Sequence, residues 1–270
     1  MRNINDFRKM KTKGDKIVMI TAYDYPSGKY VEDSGADLIL TGDSLGMVVL
    51  GYENTLQVTM DDMVHHSQAT RRGAKDTFIV ADMPHLSYHI NLTETKRNAA
   101  RLYREGNVNA VKLEGGKASR IEAIKAIVDC EIPVCAHLGL TPQSIGTMGG
   151  YFVQGKAEKD FQMILQQAMD IEDAGAFMLV LEGIPELLGQ EITDKLCIPT
   201  IGIGAGRYCD GQVLVYHDLL GMSDMKPKFV KQYADLKTVI PESLRQWTEA
   251  VKKGEFPEKR HVYVPIKNNE

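Results

Sequence analysis

Residues 158–174, EKDFQMILQQAMDIEDA, run into Gly175 and then into the apolar run Phe177-Met178-Leu179-Val180. Phe161, Ile164, Leu165 and Ala168 recur at the spacing of one helix face, and a glycine just past the end can adopt the left-handed cap conformation without steric cost. The order helix, glycine, strand predicts a chain that turns straight back into a sheet. The same unit recurs where Val31-Glu32-Asp33-Ser34 meets Gly35-Ala36-Asp37, and where Leu102-Tyr103-Arg104-Glu105 meets Gly106. Another helix is expected from Ser119, which stands at capping-box spacing from Glu122 and precedes the stripe Ile121, Ile124, Ile127 and Val128.

Working outward, short β-branched, apolar runs extend from end to end: Ile17-Val18-Met19-Ile20-Thr21, Asp37-Leu38-Ile39-Leu40, Phe78-Ile79-Val80, Ala110-Val111-Lys112-Leu113, Pro133-Val134-Cys135-Ala136, Phe177-Met178-Leu179-Val180, Pro199-Thr200-Ile201 and Gln212-Val213-Leu214-Val215. Most are too apolar for half-exposed strands and read as parallel strands covered on both faces. Eight such runs alternating with helices predict an α/β fold, a (β/α)8 TIM barrel, over an open doubly wound sheet. The glycine run Gly202-Ile203-Gly204-Ala205-Gly206 lacks the dinucleotide fingerprint's spacing and reads as close backbone packing where a strand meets its loop. The expectation is one barrel domain over residues 1–270. From about Lys226 a C-terminal helix and tail are expected to pack on the barrel or on a neighbouring subunit.

The chain has 270 residues, 43% hydrophobic and 25% charged, enough for a large core. Thirty-two basic against thirty-six acidic residues leave a net charge of −4, which argues against nucleic acid and anionic membrane surfaces as partners. No apolar run approaches a bilayer span, and the start lacks a secretory core, so a cytoplasmic location is expected. Cys130, Cys135, Cys197 and Cys209 show neither zinc spacing nor disulfide density and read as free thiols.

In a parallel barrel the C-terminal strand ends share one face, where catalytic groups gather. The polar residues there are Tyr23 and Asp24, Asp43 and Ser44, Asp82, Lys112 with Glu114, His137, and Glu182. Two charges about 4 Å apart repel by roughly 4 kcal/mol at an effective dielectric of 20, so acids converging from four strands call for compensation. All are oxygen donors, so a hard divalent cation is indicated, and Mg2+ fits best. Lys112 and Glu114, two apart on a strand, point the same way, and the lysine suits an anionic substrate. His137 and Tyr23 read as pocket lining, while His65-His66 and Arg71-Arg72 read as surface.

These residues lie in blocks that resemble the ketopantoate hydroxymethyltransferase family. The blocks are Gly42-Asp43-Ser44-Leu45-Gly46-Met47, Ala81-Asp82-Met83-Pro84, Val111-Lys112-Leu113-Glu114-Gly115-Gly116, His137-Leu138-Gly139-Leu140-Thr141-Pro142-Gln143, Leu181-Glu182, and residues 201–206 followed by Cys209-Asp210-Gly211-Gln212. The resemblance implies a barrel of the phosphoenolpyruvate/pyruvate superfamily type. It implies hydroxymethyl transfer from 5,10-methylenetetrahydrofolate to 3-methyl-2-oxobutanoate, giving ketopantoate on the route to pantothenate and coenzyme A. It further implies that Asp43 and Asp82 are metal ligands, that Glu114 is the third metal-site acid, that Ser44 and Lys112 bind substrate beside the two aspartates, and that Glu182 is the proton-abstracting base. Homo-oligomers, usually decamers, are implied as well. The chain departs from the usual pattern at His85-Leu86, where Phe-Gly is common, and at Phe152, which replaces a basic residue. Those departures bear on loop contacts, including those to folate, which the resemblance places near the loops after the seventh and eighth strands and around residues 149–151.

The chemistry implied is loss of a proton beside a ketone, through a magnesium-stabilised enolate, with Glu182 as base. The rival readings are a magnesium-dependent carbon–carbon lyase of the same superfamily, and a non-catalytic oxo-acid-binding barrel. A lyase would be expected to carry a reactive cysteine on a loop, and residues 137–151 contain none.

Overall fold

A computed structural model describes residues 1–224 and 227–264. Eight parallel strands close into a barrel in sequence order. They are β1 (Ile17–Thr21), β2 (Leu38–Thr41), β3 (Phe78–Asp82), β4 (Ala110–Glu114), β5 (Val134–Gly139), β6 (Met178–Glu182), β7 (Thr200–Ile203) and β8 (Gly211–Leu214), and β1 pairs with both β2 and β8. Every expected run became a strand, and each begins within one residue of its sequence assignment.

The helices, in chain order, are α1 (Ile4–Lys13), α2 (Tyr25–Asp33), α3 (Leu45–Val48), α4 (Met60–Gly73), α5 (Leu92–Arg104), α6 (Ala118–Val128), α7 (Ile145–Met148), α8 (Glu158–Asp173), α9 (Glu186–Lys195), α10 (Tyr216–Leu219) and α11 (Leu236–Lys252). Gly175 takes φ +95° after α8 and Gly35 takes φ +79° after α2, as the repeated unit predicted. After α5 the left-handed residue is Asn107 (φ +55°), not Gly106. Gly106 is required for a different reason: a Cβ there would lie 2.5 Å from the Leu102 carbonyl oxygen. The capping box expected at Ser119 and Glu122 does not form. The chain turns at Gly115 (φ +99°), Lys117 becomes the N-cap, and the Arg120 and Ile121 amides close onto the Lys117 carbonyl.

Two apolar layers result from strand alternation. Outward side chains such as Ile39, Ile79, Val111, Leu113, Ala136 and Leu179 pack under the helices, while Met19, Leu38, Val80, Ala110, Cys135, Val180 and Ile201 fill the barrel. Below them α1 closes the N-terminal end. Its capping box, Asn3 with Asp6, is a start signal the sequence reading did not use. Phe7 from this helix is fully buried, edge-on to Phe78 at 5.2 Å between ring centroids. Lys11 Nζ, 2.8 Å from both Asp210 Oδ2 and the Thr193 carbonyl oxygen, anchors it.

The chain divides into two units. The barrel unit covers Met1–Tyr216 and Pro227–Val230, and the other covers His217–Lys226 and Lys231–Glu270. In the second, α11 carries Pro241 in its second turn, and Trp247 meets Phe256 edge-on at 6.2 Å. The boundary expected near Lys226 lies outside the described residues.

Candidate active site

Strand parity decides which polar side chains enter the barrel. Asp82 follows inward Val80 by two residues, Lys112 and Glu114 continue the inward row from Ala110, His137 follows Cys135, and Glu182 follows Val180. The sheet register then sets Asp82 beside Lys112 and Glu114 beside His137. Asp43 and Ser44 arrive from the turn after β2. Gly42 makes room for that turn, since a Cβ there would lie 2.8 Å from Ser44 Oγ and 3.4 Å from Asp82 Oδ2. Gly139, at φ +98°, lets β5 approach β6, because a Cβ would sit 2.2 Å from the Glu182 carbonyl oxygen.

Asp43, Asp82, Lys112, Glu114 and His137 are each 4% exposed or less. Lys112 Nζ lies 2.6 Å from Asp82 Oδ1 and 3.4 Å from His137 Nδ1. The Asp43 backbone amide donates to Asp82 Oδ2 at 3.0 Å. The imidazole of His137 stands between two acids, Nδ1 3.4 Å from Glu114 Oε1 and Nε2 3.3 Å from Glu182 Oε2. Glu182 faces the opening. Tyr23 and Ser44 share a hydrogen bond of 2.8 Å between hydroxyls. The structure therefore gathers the sequence-predicted residues at one barrel mouth.

Their protonation follows from burial and charge. Burial, then the charges of Asp82 and Glu114, push the Asp43 carboxyl well up, and burial raises Asp82 despite Lys112. Burial also acts on Glu114, but the hydrogen bond and charge of His137, with Lys112, hold it below its usual range. For His137, burial and Lys112 press downward, yet the flanking carboxylates of Glu114 and Glu182 raise it to about 9. The acids hold Lys112 above its ordinary value against the effect of burial.

Two residues at the centre of this network carried no role in the sequence reading. Tyr88, from the loop after β3, donates its hydroxyl to Gln143 Oε1 at 2.6 Å and accepts from the Glu114 amide at 3.1 Å. Gln143, from the turn after β5, donates its backbone amide to Glu114 Oε2 at 3.1 Å, and its side-chain Nε2 to Asp43 Oδ2 at 2.8 Å and to the Met83 carbonyl at 2.9 Å. Tyr88 sits in an irregular loop and Gln143 in a single 3-10 turn (Pro142–Ser144), neither long enough to show periodicity, and only Gln143's place in the block ending at that residue marked it.

Two surface assignments are corrected. His66 Nδ1 donates to the Tyr23 carbonyl at 2.6 Å, half-buried against the pocket wall, because its face of α4 turns toward the β1–α2 junction. Arg71 is also half-buried. Its guanidinium donates to the carbonyls of Asn107, Ala74 and Thr77, clasping the strands' lower ends, while Arg72 is exposed as expected. His65 is exposed. Around the mouth, Tyr151 is half-exposed, and burial with the charges of Glu182 and Asp43 raises its phenol, which places it within electrostatic reach of the acids. Phe152 is exposed, and Leu86 is held at φ +67°.

Among the described residues no three His, Cys, Asp or Glu side chains form a ready-made metal cage. The donor chemistry nevertheless fits a hard ion that takes few protein ligands and keeps water and substrate oxygens for the rest. Asp43 Oδ1 accepts no hydrogen bond among the described residues, while Oδ2 is held by Gln143. The four acids Asp43, Asp82, Glu114 and Glu182 outnumber the basic groups Lys112 and His137, an acidic excess that either protons or a divalent cation would balance.

A closed parallel barrel with buried acids and a lysine at its C-terminal mouth defines a (β/α)8 barrel of the kind that carries its chemistry at the C-terminal strand ends. Solved structures agree on the fold: a phosphoenolpyruvate phosphomutase from Streptomyces platensis subsp. rosaceus superposes with a TM-score of 0.62 at 13% identity, covering 97% of this chain and 92% of that one. A 2,3-dimethylmalate lyase, itself a phosphoenolpyruvate mutase/isocitrate lyase superfamily member, superposes at 0.61 with 18% identity, covering 96% and 91%. The family model for ketopantoate hydroxymethyltransferase matches residues 1–259, and the chain belongs to that family. It is 54% identical to a 3-methyl-2-oxobutanoate hydroxymethyltransferase of Bacillus pumilus over 97% of this chain and 94% of that protein. A relative of the same name from Clostridium novyi is 53% identical, over 97% and 96%. No helix among the described residues is long and apolar enough to cross a membrane.

Proposed function

We propose that this enzyme transfers a hydroxymethyl group from 5,10-methylenetetrahydrofolate to 3-methyl-2-oxobutanoate, giving ketopantoate for pantothenate synthesis. The observation that carries this reading is the convergence of Asp43, Asp82, Glu114 and Lys112, all buried, with Glu182 at the opening of the same mouth.

Asp43 and Asp82 would hold a Mg2+ ion, with Glu114 behind them. Bound there, the ion supplies Lewis-acid stabilisation of negative charge developing on the keto oxygen. Lys112 and Ser44 bind the oxo acid's anionic end, Lys112 as a buried cation and Ser44 through a hydroxyl oriented by Tyr23. Glu182 takes the proton from C3, and the ring of His137, 3.3 Å away, keeps the carboxylate aimed. The resulting carbanion equivalent forms a C–C bond to the one-carbon unit of the folate, which would lie over the mouth near Tyr151; one water supplies the hydroxyl, both C–N bonds of the methylene bridge break, and tetrahydrofolate leaves with the C3 proton and the remaining water proton on its two nitrogens.

The test is proton exchange at C3 of 3-methyl-2-oxobutanoate, followed by NMR in heavy water before any folate is added. Exchange that needs both enzyme and Mg2+ is expected, and adding the folate should then yield ketopantoate. Exchange independent of metal, or none with full turnover on a different oxo acid, would refute the assignment.

A further inference from the structure

We propose that Gln143 is a positioning residue that fixes the Asp43 carboxylate for metal binding, and that Tyr88 sets the direction in which Gln143 works. This inference rests on reading Asp43 and Asp82 as the carboxylates that hold the ion.

The argument is one of hydrogen-bond polarity. A backbone N–H can only donate, so the Glu114 amide forces the Tyr88 oxygen to accept. The one phenolic proton of Tyr88 must then go to its other neighbour, 2.6 Å away, which makes that Gln143 atom the carbonyl Oε1. The opposite end of the amide is therefore the NH2 group, and both its protons have acceptors, Asp43 Oδ2 and the Met83 carbonyl. Nothing in this chain can be reversed without setting two acceptors or two donors face to face. Tyr88 and Gln143 are 3% and 4% exposed, so water cannot stand in for a missing partner.

The consequence for Asp43 is geometric. Gln143 engages one carboxylate oxygen and leaves the other, so the plane of the carboxylate is set before an ion arrives. The Gln143 backbone amide meanwhile donates to Glu114 Oε2, so one residue touches two of the three acids assigned to the ion. Groups that orient a metal ligand without touching the metal typically change affinity by about 10- to 100-fold when removed.

The probe is Mn2+ alone, titrated into the full-length enzyme with free Mn2+ read by electron paramagnetic resonance, so that turnover plays no part. Gln143→Met, close in volume and without donors, should weaken Mn2+ binding about tenfold or more. Tyr88→Phe, which touches neither Asp43 nor Asp82 by any hydrogen bond, should weaken it severalfold. The double variant should bind within twofold of Gln143→Met, because Tyr88 acts through the glutamine. A role in packing alone predicts lower melting temperatures with unchanged Mn2+ affinity, and that result would overturn the inference. So would effects that multiply in the double variant. If Gln143→Met does not fold, Tyr88→Phe decides by itself: affinity within twofold of the parent overturns the proposal. A parent enzyme that binds no Mn2+ would refute the metal reading itself, a result distinct from binding that the variants leave untouched.

Discussion

Lys112 Nζ and Asp82 Oδ1 stand 2.6 Å apart on adjacent strands, with both side chains 4% exposed. Removing the cation leaves a desolvated carboxylate beside two others. Lys112→Met should therefore lower unfolding free energy by about 3–5 kcal/mol, the range for breaking a buried pair, in urea titrations with chelator present. Mg2+ at about 100 times its dissociation constant should return roughly 2.7 kcal/mol. Equal stability of variant and parent would argue that the acids are protonated rather than paired.

Glu182 is the acid nearest the opening, and His137 holds it by a single ring nitrogen. Glu182→Gln keeps shape and hydrogen-bonding capacity but removes the base. Exchange of the C3 proton of 3-methyl-2-oxobutanoate should fall about 10²- to 10⁴-fold while oxo-acid affinity, measured calorimetrically, stays within a few fold. Unchanged exchange would move the base elsewhere in the mouth.

Leu86 occupies a left-handed backbone position at φ +67°, more than half exposed, where the resemblance marks glycine as usual. The conformation costs a side-chain-bearing residue about 1–2 kcal/mol, and glycine returns roughly 0.5–1 kcal/mol of that as greater chain entropy in the unfolded state. Leu86→Gly should accordingly raise stability by up to about 1 kcal/mol. Leu86→Ala, which keeps a Cβ, should not.

Glu32 ties α2 to the approach of β3: its carboxylate accepts from the amides of Lys75, Asp76 and Thr77 and from the Thr77 hydroxyl. Burial is the largest single influence and pushes the carboxyl up, but these donors together outweigh it and hold the group below its ordinary value of 4.5. With the folded value depressed, the stabilisation is complete above 4.5 and disappears as pH falls through the lower, folded value. Glu32→Gln should thus be less stable than the parent at pH 7, and the two curves should converge in acid. Amide exchange at Asp76 and Thr77 should rise in the variant at pH 7 only.

The barrel was legible because apolar runs and helix stripes carry period and length, and those survive as strands and helices. The mouth was legible for a related reason: Asp82, Lys112, Glu114, His137 and Glu182 are each polar breaks at the end of an apolar row, and strand parity alone turns them inward. Tyr88 and Gln143 were not, since their roles depend on which irregular loops meet over the barrel. Arg71 and His66 misled because charge on a helix suggests solvent, whereas both side chains find carbonyl oxygens at the ends of strands. The helix α1 was missed because its apolar contribution rests on Phe7 and Met10, too few for a stripe.

The seating of Phe7 beneath the strands has a kinetic corollary. A tube stoppered at its base has one doorway, so whichever reactant nests against Lys112 must pass through before the bulkier one settles above it, and its product must wait until that upper guest departs. Initial-rate patterns should then report a compulsory queue, oxo acid first in and ketopantoate last out.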